Sequence, residues 1–427
     1  MKVYFEAFGC TLNKGESYRM VEKASEDGFL IAKTVDESDC IVISTCTVIE
    51  TTERKMLKRI SELARMNKPL IVSGCMAEIQ GEKILSLAPS SRFLPIDEIE
   101  SITDVLGNIG IRRSGSGSLI EPSYKGIDIA VPIAQGCLGG CTYCITRLAR
   151  GRLRSRRLGD ILEDVRRALR SGFKEIRLCA QDTASYGMDD RSSLMDLLDS
   201  LSTIPGDFRV RVGMMNPDTL DRIAEDLIKA FQHKRIYKFL HLPVQSGSDT
   251  ILGLMGRSYT VKTFEKLVRR FRGAYPNLTL STDIIVGFPG ERENDFQKSY
   301  DLMKRIEPDL MNITRFSSRA GTLAHEMDGR VEGWKIKKRS RALTKLRSEL
   351  GKKRNERLVG TTQDVLLTEI VKEGTTVGRT MSYKPVVFRR KLPLGTFVKA
   401  RTVGAEDAYL WAEVVDGNRN LLYENAS

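Results

Sequence analysis

Between about residues 125 and 330 one unit recurs roughly every 30 residues: a short β-branched run followed by a helical pattern. Parallel strands need a crossover of a dozen or more residues, usually a helix, so this spacing restricts the region to a parallel α/β fold. The candidate strands are Ile127–Ala134, Glu175–Ala180, Arg209–Val212, Lys238–Leu242, Thr279–Val286 and Leu310–Phe316. Six units fall short of the eight of a closed barrel, which leaves a partial barrel or an open doubly wound sheet. The helices carry their own signals. Asn216 suits an N-cap with Pro217 at the first helical position, and Leu220, Ile223, Ala224, Leu227, Ile228 and Phe231 follow the helical period. Gly172 and Gly273 stand where helix-ending glycines belong.

Two other regions flank this one. The N-terminal stretch carries three runs suited to buried parallel strands, Val3–Phe8, Ile41–Ser44 and Leu70–Ser73, with room for helices between them. A Gly/Ser stretch, Gly115-Ser116-Gly117-Ser118, then marks a linker. Residues 335–357 hold eleven Lys/Arg and two Glu in a helical pattern. Beyond them Asp364–Val371, Thr376–Tyr383, Thr396–Val403 and Tyr409–Val415 alternate between turn residues, the pattern of a small β-barrel. The expected division is an open α/β sheet domain at 1–111, a linker at 112–124, a partial (β/α)6 barrel at 125–358 and an all-β barrel at 359–427.

The chain has 427 residues and a net charge of +13, so a polyanionic partner is expected. No apolar stretch approaches the roughly 18 residues of a membrane span. The opening MKVYFEAFGC has no apolar core of a signal peptide, so the expectation is a cytoplasmic protein. In a reducing compartment eight cysteines are more often ligands, catalytic groups or core residues than disulfides.

Cys137, Cys141 and Cys144 form a Cys-x3-Cys-x2-Cys triad just after the first strand of the middle region. Three thiolates at this spacing can hold three irons of a 4Fe–4S cluster and leave the fourth open. The alternative, a structural zinc loop, wants four ligands, and no further Cys or His lies nearby. Cys10, Cys46 and Cys75 are dispersed in sequence, yet each falls just past the carboxyl end of a predicted strand. Those ends share the ligand-binding edge of an open α/β sheet, so a second convergent triad is expected. Cys40 and Cys179 are expected to be small buried hydrophobes.

With these residues in view the sequence resembles the radical S-adenosylmethionine (SAM) methylthiotransferases over nearly its whole length. GCTLN (Gly9–Asn13), STCTV (Ser44–Val48) and SGCMAE (Ser73–Glu78) are similar to that family's N-terminal cluster domain. GCLGGCTYC is similar to its radical SAM motif, and HLPVQSGSD (His241–Asp249), MGRSYT (Met255–Thr260) and DIIVGFPGE (Asp283–Glu291) to its barrel motifs. The C-terminal barrel resembles the RNA-binding TRAM module. The resemblance implies two 4Fe–4S clusters and two uses of SAM. A cluster on Cys137, Cys141 and Cys144 would cleave SAM to a radical that activates a C–H bond. A cluster on Cys10, Cys46 and Cys75 would present sulfur, methylated by a second SAM. Cofactor-binding candidates are Gln181, with Asp182 beside it, Gln245, Ser246 and Ser248, Arg257 for the SAM carboxylate, Asp283 and Gly287.

Ile145–Gly151 and Met214-Met215-Asn216-Pro217 resemble the archaeal and eukaryotic branch, which modifies N6-threonylcarbamoyladenosine beside the anticodon of tRNA. Gln181-Asp182-Thr183 also resembles members that act on an aspartate of ribosomal protein S12. Charge favours tRNA. Six Arg lie within Arg147–Arg157, and Lys384, Arg389, Arg390, Lys391, Lys399 and Arg401 mark the terminal barrel, with Tyr383, Phe388 and Phe397 as candidate stacking rings. Besides the S12 reading, a metal-dependent RNA-binding protein without activity is the alternative. The enzymatic reading further requires an external electron donor and a sulfur source, and expects a monomer.

Overall fold

The computed structural model describes residues 1–113, 126–372 and 374–415. Apart from Arg112 and Arg113, the linker read at 112–124 lies outside the described residues. The chain opens with an all-parallel sheet of β1 (Lys2–Ala7), β2 (Leu30–Ile31), β3 (Cys40–Thr45), β4 (Leu70–Gly74) and β5 (Arg92–Leu94), in the order β2-β1-β3-β4-β5. Every residue of β3 and β4 is buried. Helices cover both faces of a parallel sheet, so its central strands are apolar throughout. Val42 and Ile71 pack on one side with Met20, Ala24, Ile102 and Leu106, and Ile41, Ile43 and Val72 on the other with Met56, Ile60 and Ile84. The edge strands β2 and β5 span two and three residues, too short to show a pattern in the sequence.

The middle region contains β6 (Asp128–Pro132), the small antiparallel pair β7 (Ala134–Gln135) and β8 (Arg154–Ser155), then β9 (Glu175–Cys179), β10 (Arg209–Arg211), β11 (Phe239–His241), β12 (Thr279–Val286) and β13 (Leu310–Arg315). Strands β6, β9 and β10 are parallel neighbours, as are β11, β12 and β13. Parallel bridges Val210↔Ile236 and Met214↔His241 carry the series from β10 to β11. Leaving aside the β7/β8 hairpin, neighbours therefore follow sequence order with no switch point. A doubly wound sheet reverses its strand order, so this is the partial barrel.

The helix Thr11–Glu26 of the N-terminal domain lies against β6, the first strand of the barrel. Gly15 permits the approach: a Cβ there would stand 2.7 Å from the Ala130 carbonyl oxygen and 2.8 Å from Pro132 Cδ. Both neighbours are stiff, so Gly15→Ala is expected to cost about 1–3 kcal/mol of stability, as overpacking does. A lowered thermal midpoint in scanning calorimetry is the check, and an unchanged midpoint would mean that the contact relaxes freely.

The C-terminal strands β14 (Thr362–Glu369), β15 (Thr376–Thr380), β16 (Pro385–Phe388), β17 (Phe397–Ala405) and β18 (Leu410–Val414) close a barrel in the order β14-β15-β16-β18-β17. The sequence suggested four of these. β16 was hidden because it starts at a proline, two residues after the positive φ of Tyr383. This barrel is bolted to the central domain. The Tyr383 hydroxyl donates to Glu175 (2.9 Å), and Lys384 Nζ meets Asp309 (2.8 Å) and Asn355 (2.7 Å).

Several expectations are corrected here. Lys384 is buried in an ion pair and cannot meet a phosphate. Phe388 is in the barrel core and Tyr383 packs on Tyr237 and Phe239, so neither offers a free stacking face, and Phe397, half-buried, has the Arg209 guanidinium over its ring. The basic helix spans Gly333–Glu356 and is partly structural: Leu343, Leu346 and Leu350 join the central core, and Arg339 pairs with Glu291. Gly273 lies inside the last turn of the helix Val261–Ala274 rather than after it. Among the described residues no helix is long and apolar enough to cross a membrane.

Candidate active site: a thiol-lined cavity

A cavity of about 380 Å³ opens at the carboxyl ends of β9, β10 and β11, where this fold class places its chemistry. Cys137, Cys141 and Cys144 line it from the loop after β7, and Cys10, Thr11 and Val48 from the N-terminal domain. Gln181, Gln245 and Arg257 complete the wall.

The triad loop turns about its glycines. Gly136 has φ +77°, and a Cβ there would fall 1.9 Å from the Arg152 carbonyl oxygen, so no other residue fits. The Gly139 N–H donates to Cys137 Sγ (3.2 Å), and the Cβ position of Gly139 lies 3.4 Å from that sulfur and 3.7 Å from Cys141 Sγ. Backbone bonds from Thr142 to Met255 (3.0 Å) and from Ala324 to Thr142 (2.9 Å) brace the loop. Burial pushes the Cys137 thiol up to about 11, with the Gly139 N–H pulling the other way. Burial also raises Cys141, against the opposing charge of Arg257. A ligand cation would have to displace these protons, the usual linkage at thiolate sites.

The second set gathers as strand topology requires. Cys10 stands immediately before the helix Thr11–Glu26 after β1, Cys46 directly follows β3, and Cys75 begins the helix Cys75–Ile79 after β4. A Cβ on Gly9, at φ +101°, would stand 2.6 Å from Cys46 Cβ, so these two loops touch. Asn13 ties them together by donating to the Phe8 (3.2 Å) and Thr45 (2.7 Å) carbonyls. Cys75 is raised to about 11 by burial, opposed by the nearby Arg150 and reinforced by Cys10 and Cys46.

The donor set fits sulfur-ligated iron. Among the described residues no three His, Cys, Asp or Glu side chains close on a single-ion site, as a structural zinc requires. A cubane cluster takes one thiolate per iron, so its ligands need not share an ion. Two polar atoms of the cavity wall, Gln181 Oε1 and Arg257 Nε, are buried with no partner. Such groups carry a cost that a bound ligand relieves. Arg257 is otherwise held by Asn216 Oδ1 (2.7 Å) and the Tyr143 hydroxyl (2.8 Å).

The remaining predicted residues lie behind this wall. Ser246 is fully buried and accepts from the Ser248 N–H (3.2 Å), beside Ser299. The Gly287 N–H donates to Glu291 (2.7 Å), and a Cβ at Gly287 would strike Ile336. Asp283 holds His241 Nε2 at 3.0 Å and accepts from Asn312 (2.6 Å), so it orients a residue that lines the cavity. The Ser248 hydroxyl donates to Asp295 (2.7 Å). Asp182, raised to about 6 by burial, collects bonds from Ala184, Asn216 and Thr219. Asn216 therefore heads its helix without capping it: its amide serves Asp182 and its oxygen serves Arg257.

Sequence reasoning missed Arg177, Arg211, His241 and Cys179, all on the cavity wall. A signal was present. Residues i and i+2 of a strand share a face, so Arg177 and Cys179 in β9 point the same way, and a charged residue inside a barrel strand marks a polar interior. The arginine run also divides. Arg147 lines the cavity, Arg150 is buried, Arg156 forms an ion pair with Asp164 (2.8 Å) and donates to the Pro132 carbonyl (2.7 Å), and Arg152 and Arg157 are exposed.

Three family profiles match the chain in order: uncharacterized protein family UPF0004 over residues 2–94, the Radical SAM superfamily over 131–303 and the TRAM domain over 356–415. A Pyrococcus horikoshii protein named probable threonylcarbamoyladenosine tRNA methylthiotransferase is 38% identical, covering 97% of this chain and all of its own length. An Archaeoglobus fulgidus protein of the same name is 39% identical over 96% of this chain and 98% of its own. In fold, the chain is similar to the radical SAM methyltransferase TsrM from Kitasatospora setae, with a TM-score of 0.55 at 12% identity, covering 76% of this chain and 73% of that one. With three profiles matched in order and end-to-end likeness to these relatives, the chain belongs to the radical SAM methylthiotransferase family.

Proposed function

We propose that this protein converts N6-threonylcarbamoyladenosine at position 37 of tRNA, next to the anticodon, to its 2-methylthio derivative. The observation that carries the reading is the meeting of Cys10 with Cys137, Cys141 and Cys144 on one cavity wall. The family's chemistry requires SAM and a 4Fe–4S cluster, and Cys137, Cys141 and Cys144 would hold that cluster. Cys10, Cys46 and Cys75 would hold a second. When bound, the first cluster with SAM supplies C–H activation and the second supplies sulfur. Electrons and replacement sulfur come from outside the chain.

The residues around the cavity bind and orient. Arg257 Nε and Gln181 Oε1 are buried in residues of the cavity wall with unmet bonds, a donor for a carboxylate and an acceptor for an amine or hydroxyl. Arg257→Lys is expected to weaken SAM binding about ten- to hundredfold, the loss of one charge-assisted bond. Equilibrium dialysis measures it, and unchanged affinity would remove Arg257 from the ligand site.

The terminal barrel presents Lys399 and Arg401 on the exposed face of β17, with Arg389, Arg390 and Lys391 nearby in chain. Neutralising Arg389, Arg390, Lys391 and Arg401 should lower tRNA affinity and flatten its salt slope by about one unit per lost phosphate contact. Base preference should stay, since phosphate contacts position rather than specify. A salt slope identical to wild type would transfer the anchoring role to Arg152 and Arg157.

Nucleoside mass spectrometry of tRNA from cells with and without the gene tests the whole reading. The 2-methylthio derivative should vanish and N6-threonylcarbamoyladenosine accumulate. Unaltered tRNA together with an unmodified ribosomal protein S12 in the deletion strain would assign the protein substrate instead.

A further inference from the structure

Arg150 has no task in the chemistry above, yet its side chain is wholly buried. An arginine in the interior is costly unless its charge and donors are met. Here they are met entirely from the N-terminal domain. The guanidinium pairs with the Glu16 carboxylate through both terminal nitrogens (Nη2 to Oε2, 2.7 Å), Nη2 donates to Asn13 Oδ1 (2.7 Å), and Nε donates to Cys75 Sγ (3.3 Å). Asn13 Oδ1 also lies 3.8 Å from Cys10 Sγ. One side chain thus reaches the loops of both Cys10 and Cys75.

Its other end is equally placed. Arg150 is the last residue of the helix Ile145–Arg150, and Cys144 is that helix's N-cap. The helix Cys75–Ile79 packs on it. A short rigid rod therefore leaves one thiol triad and ends in a bond to a sulfur of the other. A buried Arg–Glu pair can often be replaced by apolar groups without loss of stability. Stability alone therefore does not call for the Nε–H···S contact.

We propose that Arg150 is a positioning residue for sulfur transfer. Its bond to Cys75, anchored through the helix that starts at Cys144, fixes the reach between the two thiol triads and raises the reduction potential of the cluster on Cys10, Cys46 and Cys75. The proposal rests on the two-cluster reading given above. A cation and an N–H donor beside a cysteinyl sulfur favour the more negative, reduced state of a cluster, and hydrogen bonds to sulfur are an established lever on potential.

The test uses full-length protein reconstituted anaerobically with iron and sulfide. Each cluster is studied alone, with the other triad changed to alanine, and its midpoint is read by redox titration followed by electron paramagnetic resonance. Arg150→Gln should lower the midpoint of the cluster on Cys10, Cys46 and Cys75 and leave that of the other cluster in place. Arg150→Lys, which keeps charge but loses the fork, should lower it less. In protein with both triads, Arg150→Gln should reduce the ratio of methylthiolated product to 5′-deoxyadenosine about tenfold, the scale of losing a group that orients a ligand. If Arg150→Gln fails to fold, Glu16→Gln keeps the sulfur contact, leaves the cation less compensated and should raise the same midpoint. Two clusters with unmoved midpoints in these variants, or midpoints that shift together, would overturn the role of Arg150. Wild-type protein that takes up one cluster only overturns the two-cluster reading instead, a separate outcome.

Discussion

Alanine at Cys137, Cys141 and Cys144 together is expected to reduce SAM cleavage to the level of the protein-free reaction and to remove one of two clusters' iron. Three thiolates at this spacing are the whole protein share of a cluster with one open iron. The change should leave the barrel standing. The three thiols sit in a loop at its mouth, whereas the core depends on residues such as Ile176, Leu240 and Leu280. Iron and sulfide analysis with detection of 5′-deoxyadenosine gives the answer. Unchanged iron content, or zinc as the stoichiometric metal, would end the cluster assignment.

Alanine at Cys10, Cys46 and Cys75 is expected to divide the reaction. This variant should retain one cluster and still form 5′-deoxyadenosine, because the loop Gly136–Cys144 and the Arg257 side chain remain in place. Methylthiolated nucleoside should be undetectable, because no site is left to present sulfur. Loss of both activities in folded protein with the first cluster intact would refute separate roles. Cys46 and Cys75 are buried, so circular dichroism must accompany the measurement. Small thiols replaced by alanine leave little empty space, and the fold is expected to survive.

The placement of both thiol sets was legible because topology is written in β-branched runs. Three cysteines each fell one or two residues beyond such a run, and β1, β3 and β4 are parallel neighbours, so their loops meet. Charge was read less well. A basic residue in sequence does not reveal whether it meets solvent or a buried carboxylate. Lys384, Arg150 and Arg156 look like phosphate ligands in the chain, yet they face Asp309, Glu16 and Asp164 in space. Arg177 and Arg211 were missed although their strand positions were known, and only the alternation of faces along a strand marked them as inward. Ser246 and Gly287 show the converse. Motif position brought them near the cavity, and local bonds to Ser248 and Glu291 turned them to holding the loops that others use.

The bolt formed by Tyr383 and Lys384 has a consequence for how a substrate is measured. Cutting the chain before residue 360 would strip Glu175 and Asp309 of buried partners, so the terminal barrel is no detachable handle. A module fixed this firmly cannot search for RNA on a tether. It holds its cationic residues at a fixed place relative to the central domain. Under the tRNA reading proposed above, such a module would work as a calliper: an RNA would be accepted when the span from its backbone grip to its target base matched that gap, a selection for the dimensions of a folded stem and loop before any base is read.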